Sequence, residues 1–351
     1  MAKSLNDNSK IILDYLNENP LSSSKEIYSK IGTKIELSYT TLKRILQKLN
    51  SENLITPSGQ GKATKYQLSK AYELLQLIDM EEYFQKEIDE REIKKTFNNK
   101  LLTDTLATVS VFTDEELALL TNLQIRYTEN ISKLSESDYN KELERLAIDL
   151  SWKSSQIEGN TYSLLETERL LKEKETAEGK TKNEAVMLLN HKEALDFIVA
   201  HPSYTIPLSV SKIEDIHSIL IKDLNVERNV RKHRIGISGT NYKPLDNEFQ
   251  IKEAFSDMCV LINTKKSIFE KALLVLILIS YIQPFADGNK RTARIISNSI
   301  LLNNKYCPIS FRTVDSIEYK KAMLIFYEQN NITSFKKIFI TQFEFAVNTY
   351  F

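Results

Sequence analysis

The sequence predicts a mainly α-helical protein, with one small β-hairpin in its second half and a compact three-helix module with its own hairpin at the start. Three observations predict this. Apolar residues recur at spacings of three and four through almost the whole chain. Only 8 Gly and 7 Pro occur in 351 residues, too few for a turn-rich all-β fold or a disordered chain. Hydrophobic residues make up 42%, enough to fill a large core. At roughly 150 residues per domain the length suits two or three domains.

The first module spans 1–70. Ser9–Leu16 is an amphipathic helix, Ser24 can cap a second over Lys25–Ile31 that Gly32 ends, and Ser38 can cap a third over Tyr39–Asn50. In the third, Leu42, Ile45, Leu46 and Leu49 share a face. Leu54–Thr56, the turn Pro57–Gly61 and Tyr66–Leu68 then read as a hairpin wing. Three helices followed by a wing is the order of a winged helix-turn-helix domain. Residues 71–110 form a connector, charge-dense and helical up to Asn98-Asn99. From 111 to 351 the pattern is helix after helix: Leu117–Tyr127, Tyr139–Ile157, Leu165–Glu173, Asn183–Ile198, Val210–Leu220, Ile251–Ile262, Phe269–Ile282, Asn289–Leu302, Ser316–Tyr327 and Ile332–Phe351. The conspicuous β signal in that stretch is Ile235–Pro244, with Gly236 and Gly239 near a hairpin bend.

Global charge names no partner, because 47 Lys and Arg balance 47 Asp and Glu. The first 70 residues depart from this, with 11 basic against 6 acidic residues, an excess of 5. Lys43, Arg44 and Lys48 decorate the third helix and Lys62 the wing, so a DNA partner is an expectation for this end alone. Cys259 and Cys307 stand in no metal or redox spacing. Together with the lack of an apolar leader this predicts a cytoplasmic protein. The longest apolar run, Ala272–Ser280, is well short of the about 20 residues that cross a bilayer, so no membrane association is expected.

The densest chemical segment is Gln283-Pro284-Phe285-Ala286-Asp287-Gly288-Asn289-Lys290-Arg291-Thr292-Ala293-Arg294, set between two apolar helices. Pro284 breaks the first helix, Gly288 opens backbone conformations closed to other residues, and Asn289 can cap the second helix. Free N–H groups at a helix start attract phosphate. Arg291 and Arg294, one turn apart, can face the same anion. Asp287 offers an oxygen suited to Mg2+.

This segment resembles the Fic family motif H-P-F-x-[DE]-G-N-[GK]-R-x-x-R, matching every position except the first, where Gln283 stands. Ser154–Asn160 resembles the family's inhibitory motif [ST]-x-x-x-E-[GN], Asn190 and Ala194 match an N-x-x-x-A pattern, and Arg231–Leu245 resembles the strand-forming flap that docks a target segment. The resemblance implies a Fic-type helical core that transfers AMP from ATP to a Ser, Thr or Tyr hydroxyl of a protein. It places Gly288, Asn289, Lys290, Arg291 and Arg294 around the nucleotide, with Asn289 also in the catalytic anion hole and Asp287 on Mg2+. Ser154, Glu158 and Gly159, at the end of an inhibitory helix over 139–159, would restrain the site through Glu158 and Arg294. Ile235, Gly236 and Ile237 would form the flap. A homodimer is a further open expectation.

Gln283 occupies the position of the family's catalytic histidine. An amide cannot take a proton, and losing a general base typically costs a factor of about 10²–10⁴. His191 and His217 lie in helical patterns that favour packing or surface roles, and His233, flanking the flap, is the least improbable substitute. Three explanations stay open: a domain that binds nucleotide without transfer, transfer by a slower or different proton route, or an introduced substitution. Lys290 resembles the G-N-K-R subset, some of which transfer phosphate rather than AMP. A DNA-binding regulator whose core senses nucleotide is the competing function, and a dedicated protein-interaction scaffold is a third.

Overall fold

The computed structural model describes residues 7–32 and 36–351. Residues 1–6 and 33–35 of the predicted 1–70 module lie outside the described residues.

The module begins with α1 (Asp7–Glu18), which buries Ile12, Leu13 and Leu16. A two-residue strand β1 (Ser22–Ser23) leads into α2 (Ser24–Ile27), which runs on as a π-helical turn over Tyr28–Gly32. The cap is Ser23 rather than Ser24: its hydroxyl accepts from Glu26 N–H, and its own N–H donates to Glu26 Oε2 at 2.7 Å. Ser24 is drawn away to the Tyr39 hydroxyl, 2.8 Å distant. α3 (Tyr39–Ser51) is capped by Ser38 and buries Leu42, Leu46 and Leu49. β2 (Ile55–Ser58) pairs antiparallel with β3 (Lys65–Leu68), and β1 joins the other edge of β3, making a three-stranded sheet where the sequence suggested a hairpin. Two residues are too few for an alternating pattern to show.

The connector is not one helix. It contains α4 (Tyr72–Leu75) and α5 (Met80–Tyr83), then a 3₁₀ turn at Ile88–Glu90 and extended chain to Asn98, before a π-helical turn and α6 (Leu106–Thr108). Backbone groups that a helix would use internally are taken by other elements. Lys94 N–H donates to Glu328 O at 2.8 Å, Lys95 O accepts from Lys243 N–H at 2.9 Å, and Asn98 N–H donates to the Tyr281 hydroxyl at 2.9 Å.

The core comprises α7 (Asp114–Ile131), α8 (Glu136–Ile157), α9 (Leu164–Glu173), α10 (Lys182–Ala200), α11 (Val210–Leu220), α12 (Glu248–Thr264), α13 (Ile268–Ile282), α14 (Asn289–Asn303), α15 (Ser316–Gln329) and α16 (Thr333–Thr349). The molecule is therefore mainly α, as the spacing predicts. α13 is its axis: the apolar run that is too short for a bilayer is buried on every side, with Leu273 through Ile279 fully covered. No helix of the described residues is long and apolar enough to cross a membrane.

The flap departs from expectation. Ile235–Pro244 contains no regular strand, and its one β contact is an isolated parallel bridge between Lys243 and Thr96 of the connector. Its shape comes from Arg231, which is fully buried. The Arg231 guanidinium donates to Gln283 O (2.7 Å), His233 O (2.7 Å) and Leu245 O (2.5 Å), and the Arg231 backbone N–H donates to Pro284 O. One side chain thus ties both ends of the flap to the α13–α14 loop.

Candidate active site

The α13–α14 loop turns on two left-handed residues. Gln283 ends α13 with φ 52°, and Gly288, with φ 80°, precedes α14. At Gly288 an added side chain would be strained by the backbone and would crowd His217 at 3.4 Å. Asn289 is not the cap. It is the first residue of α14, and its side chain clamps the loop: Oδ1 accepts from Phe285 N–H at 2.9 Å, while Nδ2 donates to Phe285 O and to Gln283 Oε1, both at 2.8 Å. With Gly288 in the left-handed region, the cap position belongs to the glycine. The first-turn amides of α14 keep no partner within the helix, so the positive end of its dipole opens on the cavity.

That cavity holds about 410 Å3. Its floor is Ala286–Arg291, its sides are flap residues Ile235–Ser238 and the Lys320–Tyr327 face of α15, and Glu158 stands at one end. The predicted residues Gln283, Asp287, Gly288, Asn289, Lys290, Arg291, Glu158, Ile235, Gly236 and Ile237 all line it. Arg294 does not. The sequence suggested that Arg291 and Arg294 face one anion, but the two guanidinia are turned to different partners. Arg291 is buried, donating to Asp287 Oδ2 at 3.1 Å and towards Leu220 O at 3.4 Å. Arg294 lies fully covered behind Glu158, where Nε donates to Ser154 Oγ (2.9 Å) and Nη2 to Ser154 O (3.0 Å) and Glu158 Oε1 (2.8 Å). The ring of Tyr319 covers its other side, 5.3 Å from centroid to guanidinium.

Glu158 is held twice. Its second oxygen accepts from Lys290 Nζ at 3.2 Å. Burial pushes this carboxyl up, but Arg294 and Lys290 together outweigh it, and its pKa lies below 4.5. Gly159, with φ 99°, turns the chain out of α8, and Asn160 N–H returns to Ser155 O at 3.0 Å.

Each end of the Gln283 amide makes one hydrogen bond. Its amide nitrogen donates to Ser280 O at 2.6 Å and its oxygen accepts from Asn289. None of the histidines lines the cavity, and His233, 62% exposed on its side chain, faces Glu227 instead. The sequence assigned His217 a packing or surface role. It does pack, stacking on Phe285 at 3.7 Å with the rings 5° from parallel, but it also supports the loop directly. Its Nε2 meets Asp287 O and its Nδ1 meets Arg228 O, each at 3.0 Å. Burial lowers its pKa to about 4 against the two carbonyls that favour the proton. His191, also buried, is held well below 6.5 by burial and then by Arg294 and Arg291. Asn190 donates to Lys222 O at 2.6 Å and so fixes the end of α11 beneath Arg291, while Ala194 is packed with no exposure.

Sequence reasoning missed Arg231 as the staple of flap and loop, and Tyr327 as a wall of the cavity. No local signal marks either one, because each acts through residues distant in the chain. Asp287 retains 65% side-chain exposure on the cavity, although Oδ1 accepts from Gly288 N–H and Oδ2 from Arg291. Among the described residues no group of three or more His, Cys, Asp or Glu side chains could hold a metal by itself. A lone exposed carboxylate suits an ion that takes its remaining ligands from phosphate oxygens and water.

Known proteins bear on this geometry. The chain is 30% identical over 183 residues to the protein adenylyltransferase Fic of Nematostella vectensis, a match covering 47% of this chain and 40% of that protein. It is 24% identical over 173 residues to the protein adenylyltransferase fic-1 of Caenorhabditis elegans, covering 48% and 34%. The chain thus spans well under half the length of these curated relatives. Among solved structures, Fic-1 from C. elegans superposes with a TM-score of 0.59 at 20% identity, over 67% of this chain and 72% of that one. A Fic domain containing signaling protein from Bacteroides thetaiotaomicron gives 0.57 at 18% identity, over 66% and 94%. These likenesses establish the fold. Residues 207–301, which carry His217, Arg231 and the α13–α14 loop, match the model of the Fic/DOC family and form a Fic/DOC domain.

Proposed function

We propose that the cavity binds ATP and that the protein is an AMP-transferase of the Fic kind, restrained by Glu158 and slowed at Gln283. The observation that carries this reading is the carboxylate of Glu158, fastened to Arg294 at 2.8 Å and to Lys290 at 3.2 Å at the end of a phosphate-accepting loop. A triphosphate needs those same cations, so nucleotide and Glu158 compete. The curated relatives' names support AMP transfer as the reaction class.

The step itself would be a displacement. A protein hydroxyl oxygen bonds to the α-phosphorus, the bond from that phosphorus to pyrophosphate breaks, and the hydroxyl proton must leave. The α14 amides and Arg291 hold phosphate oxygens, and Asn289 keeps the loop in shape. Asp287 would hold Mg2+, which neutralises phosphate charge when bound. Gln283 cannot accept the proton, and its amide is committed to Ser280 and Asn289. The proton then passes to solvent or to the target's own surroundings, which is slow. Incubation with ATP labelled on the α-phosphate, with Mg2+, tests the reading. Label on the protein or on a lysate protein supports it, and no ATP binding by wild type or Glu158→Gly would refute it.

A second reading, DNA binding by the first module as a winged helix, is favoured by the exposure of Lys43, Arg44 and Lys62. Lys48 is partly neutralised by Glu52 at 3.6 Å.

A further inference from the structure

The flap has no sheet of its own, yet it keeps a defined path beside the cavity, and its outer half is held by the connector. Arg91 Nη1 donates to Gly239 O at 3.3 Å and to Glu328 Oε1 at 3.1 Å. Asn241 Nδ2 donates to Asp89 Oδ1 at 2.8 Å, Lys243 N–H donates to Lys95 O, and Thr96 bridges Lys243. The connector also grips the end of α15, the opposite wall. The Tyr83 hydroxyl donates to Glu328 Oε2 at 2.6 Å and Lys94 N–H donates to Glu328 O. Glu328 is fully buried, and Arg91 is the cation placed against it.

A stack of rings links the same parts. Phe97 of the connector stacks on Tyr281 (4.8 Å), Tyr281 on Tyr242 of the flap (5.0 Å), and Tyr242 on Tyr327 of the cavity wall (5.7 Å). The inner half of the flap, Ile235–Ser238, lines the cavity and makes no backbone hydrogen bond among the described residues. Its backbone is therefore available to an extended segment of a protein substrate.

We propose that Arg91, with Asp89 and Tyr83, is a positioning residue for the protein substrate: the connector holds the flap in register with α15, so the chain between the two domains sets how well a target segment docks. This rests on the AMP-transferase reading for the identity of what docks. The mechanical part does not rest on it. A lone arginine-to-methionine change would leave Glu328 buried without its cation, a severe perturbation. The double variant Arg91→Met with Glu328→Gln removes both charges and leaves Tyr83 an acceptor, so it separates positioning from charge burial.

The test is hydrogen exchange on the full chain, with Arg91→Lys and Asn241→Ala as milder variants. In the double variant the hydrogen-bonded amides that join flap, connector and α15, those of Tyr242, Lys243 and Lys94, should exchange on the order of tenfold faster, while the α13–α14 loop and α10 keep wild-type rates. Arg91→Lys should restore most of the protection. Calorimetry with ATP and Mg2+ in the Glu158→Gly background should give the same Kd with and without the double change. Unchanged flap exchange in the folded double variant overturns the proposal, as does a uniform rise across the core, which would mark the pair as general stabilisers. An absence of ATP binding would refute the nucleotide reading and leave the exchange result standing.

Discussion

Replacing Glu158 by glycine should destabilise the fold and strengthen nucleotide binding, two effects of opposite sign from one contact. Glu158 Oε1 lies 2.8 Å from Arg294, whose side chain has no exposure, while Glu158 retains 21% exposure on the cavity. Removing one partner of a fully buried pair costs about 3–5 kcal/mol. Here water can enter from the cavity, and Arg294 keeps Ser154 Oγ, Ser154 O and the face of Tyr319. The loss should then fall below that range, at about 2–3 kcal/mol. At roughly 2 °C per kcal/mol for a chain of this size, Tm should fall by about 4–6 °C. Phosphate gains what the fold loses. Arg294 and Lys290 become available, and a charge-assisted hydrogen bond is worth about 1.5–3 kcal/mol. ATP with Mg2+ should bind about 10–100-fold more tightly, since each 1.4 kcal/mol is a factor of ten. Calorimetry measures Kd, and thermal unfolding with and without nucleotide measures the rest. At a free ATP concentration of about 100 Kd the variant regains about 2.7 kcal/mol, close to what it lost. A lower Tm with unchanged Kd would show that Glu158 only stabilises the fold, and the competition argument would fail.

Four further outcomes are expected. Gln283→His should raise AMP transfer by about 10²–10⁴ when combined with Glu158→Gly, more than either change alone; a double variant that binds ATP but transfers nothing would mark a binding-only domain. Lys290→Ala removes one hold on Glu158 and one phosphate ligand together, so it should tighten ATP binding far less than Glu158→Gly, and an affinity matching that of Glu158→Gly would deny Lys290 a part in holding phosphate. His217 titrates near 6.5 when unfolded and about 4 when folded, so its contribution is complete above pH 6.5 and is lost as pH falls towards 4. That amounts to on the order of 3 kcal/mol, and a stability profile flat across this window would instead show both ring nitrogens donating to their carbonyls. Lys43→Ala with Arg44→Ala should weaken duplex binding and flatten its salt dependence, whereas the absence of any salt-sensitive DNA affinity in the full chain would remove the second reading.

The sequence by itself determined what depends on neighbours a few residues apart. Helix periodicity located α7 through α16 to within a few residues, because an apolar stripe every third or fourth position can be buried only by a helix. The loop was legible for the same reason: Pro284, Gly288 and the start of α14 act on backbone within one turn. Glu158 and Arg294 were paired through a resemblance between motifs, and the structure brings them to 2.8 Å. Only the tertiary structure decided where long-range hydrogen bonds go. It separated Arg291 from Arg294 by turning one to Asp287 and the other to Ser154. It drew Asn289 into the loop clamp, set the Gln283 amide against Ser280 and Asn289, and left the flap without strands, its ends held by Arg231 at His233 O and Leu245 O and its bend by Arg91 at Gly239 O. The connector itself, charge-dense and read as helical, carries no helix over Arg91–Phe97, where Glu328 and Lys243 offer its backbone partners that lie outside any local window.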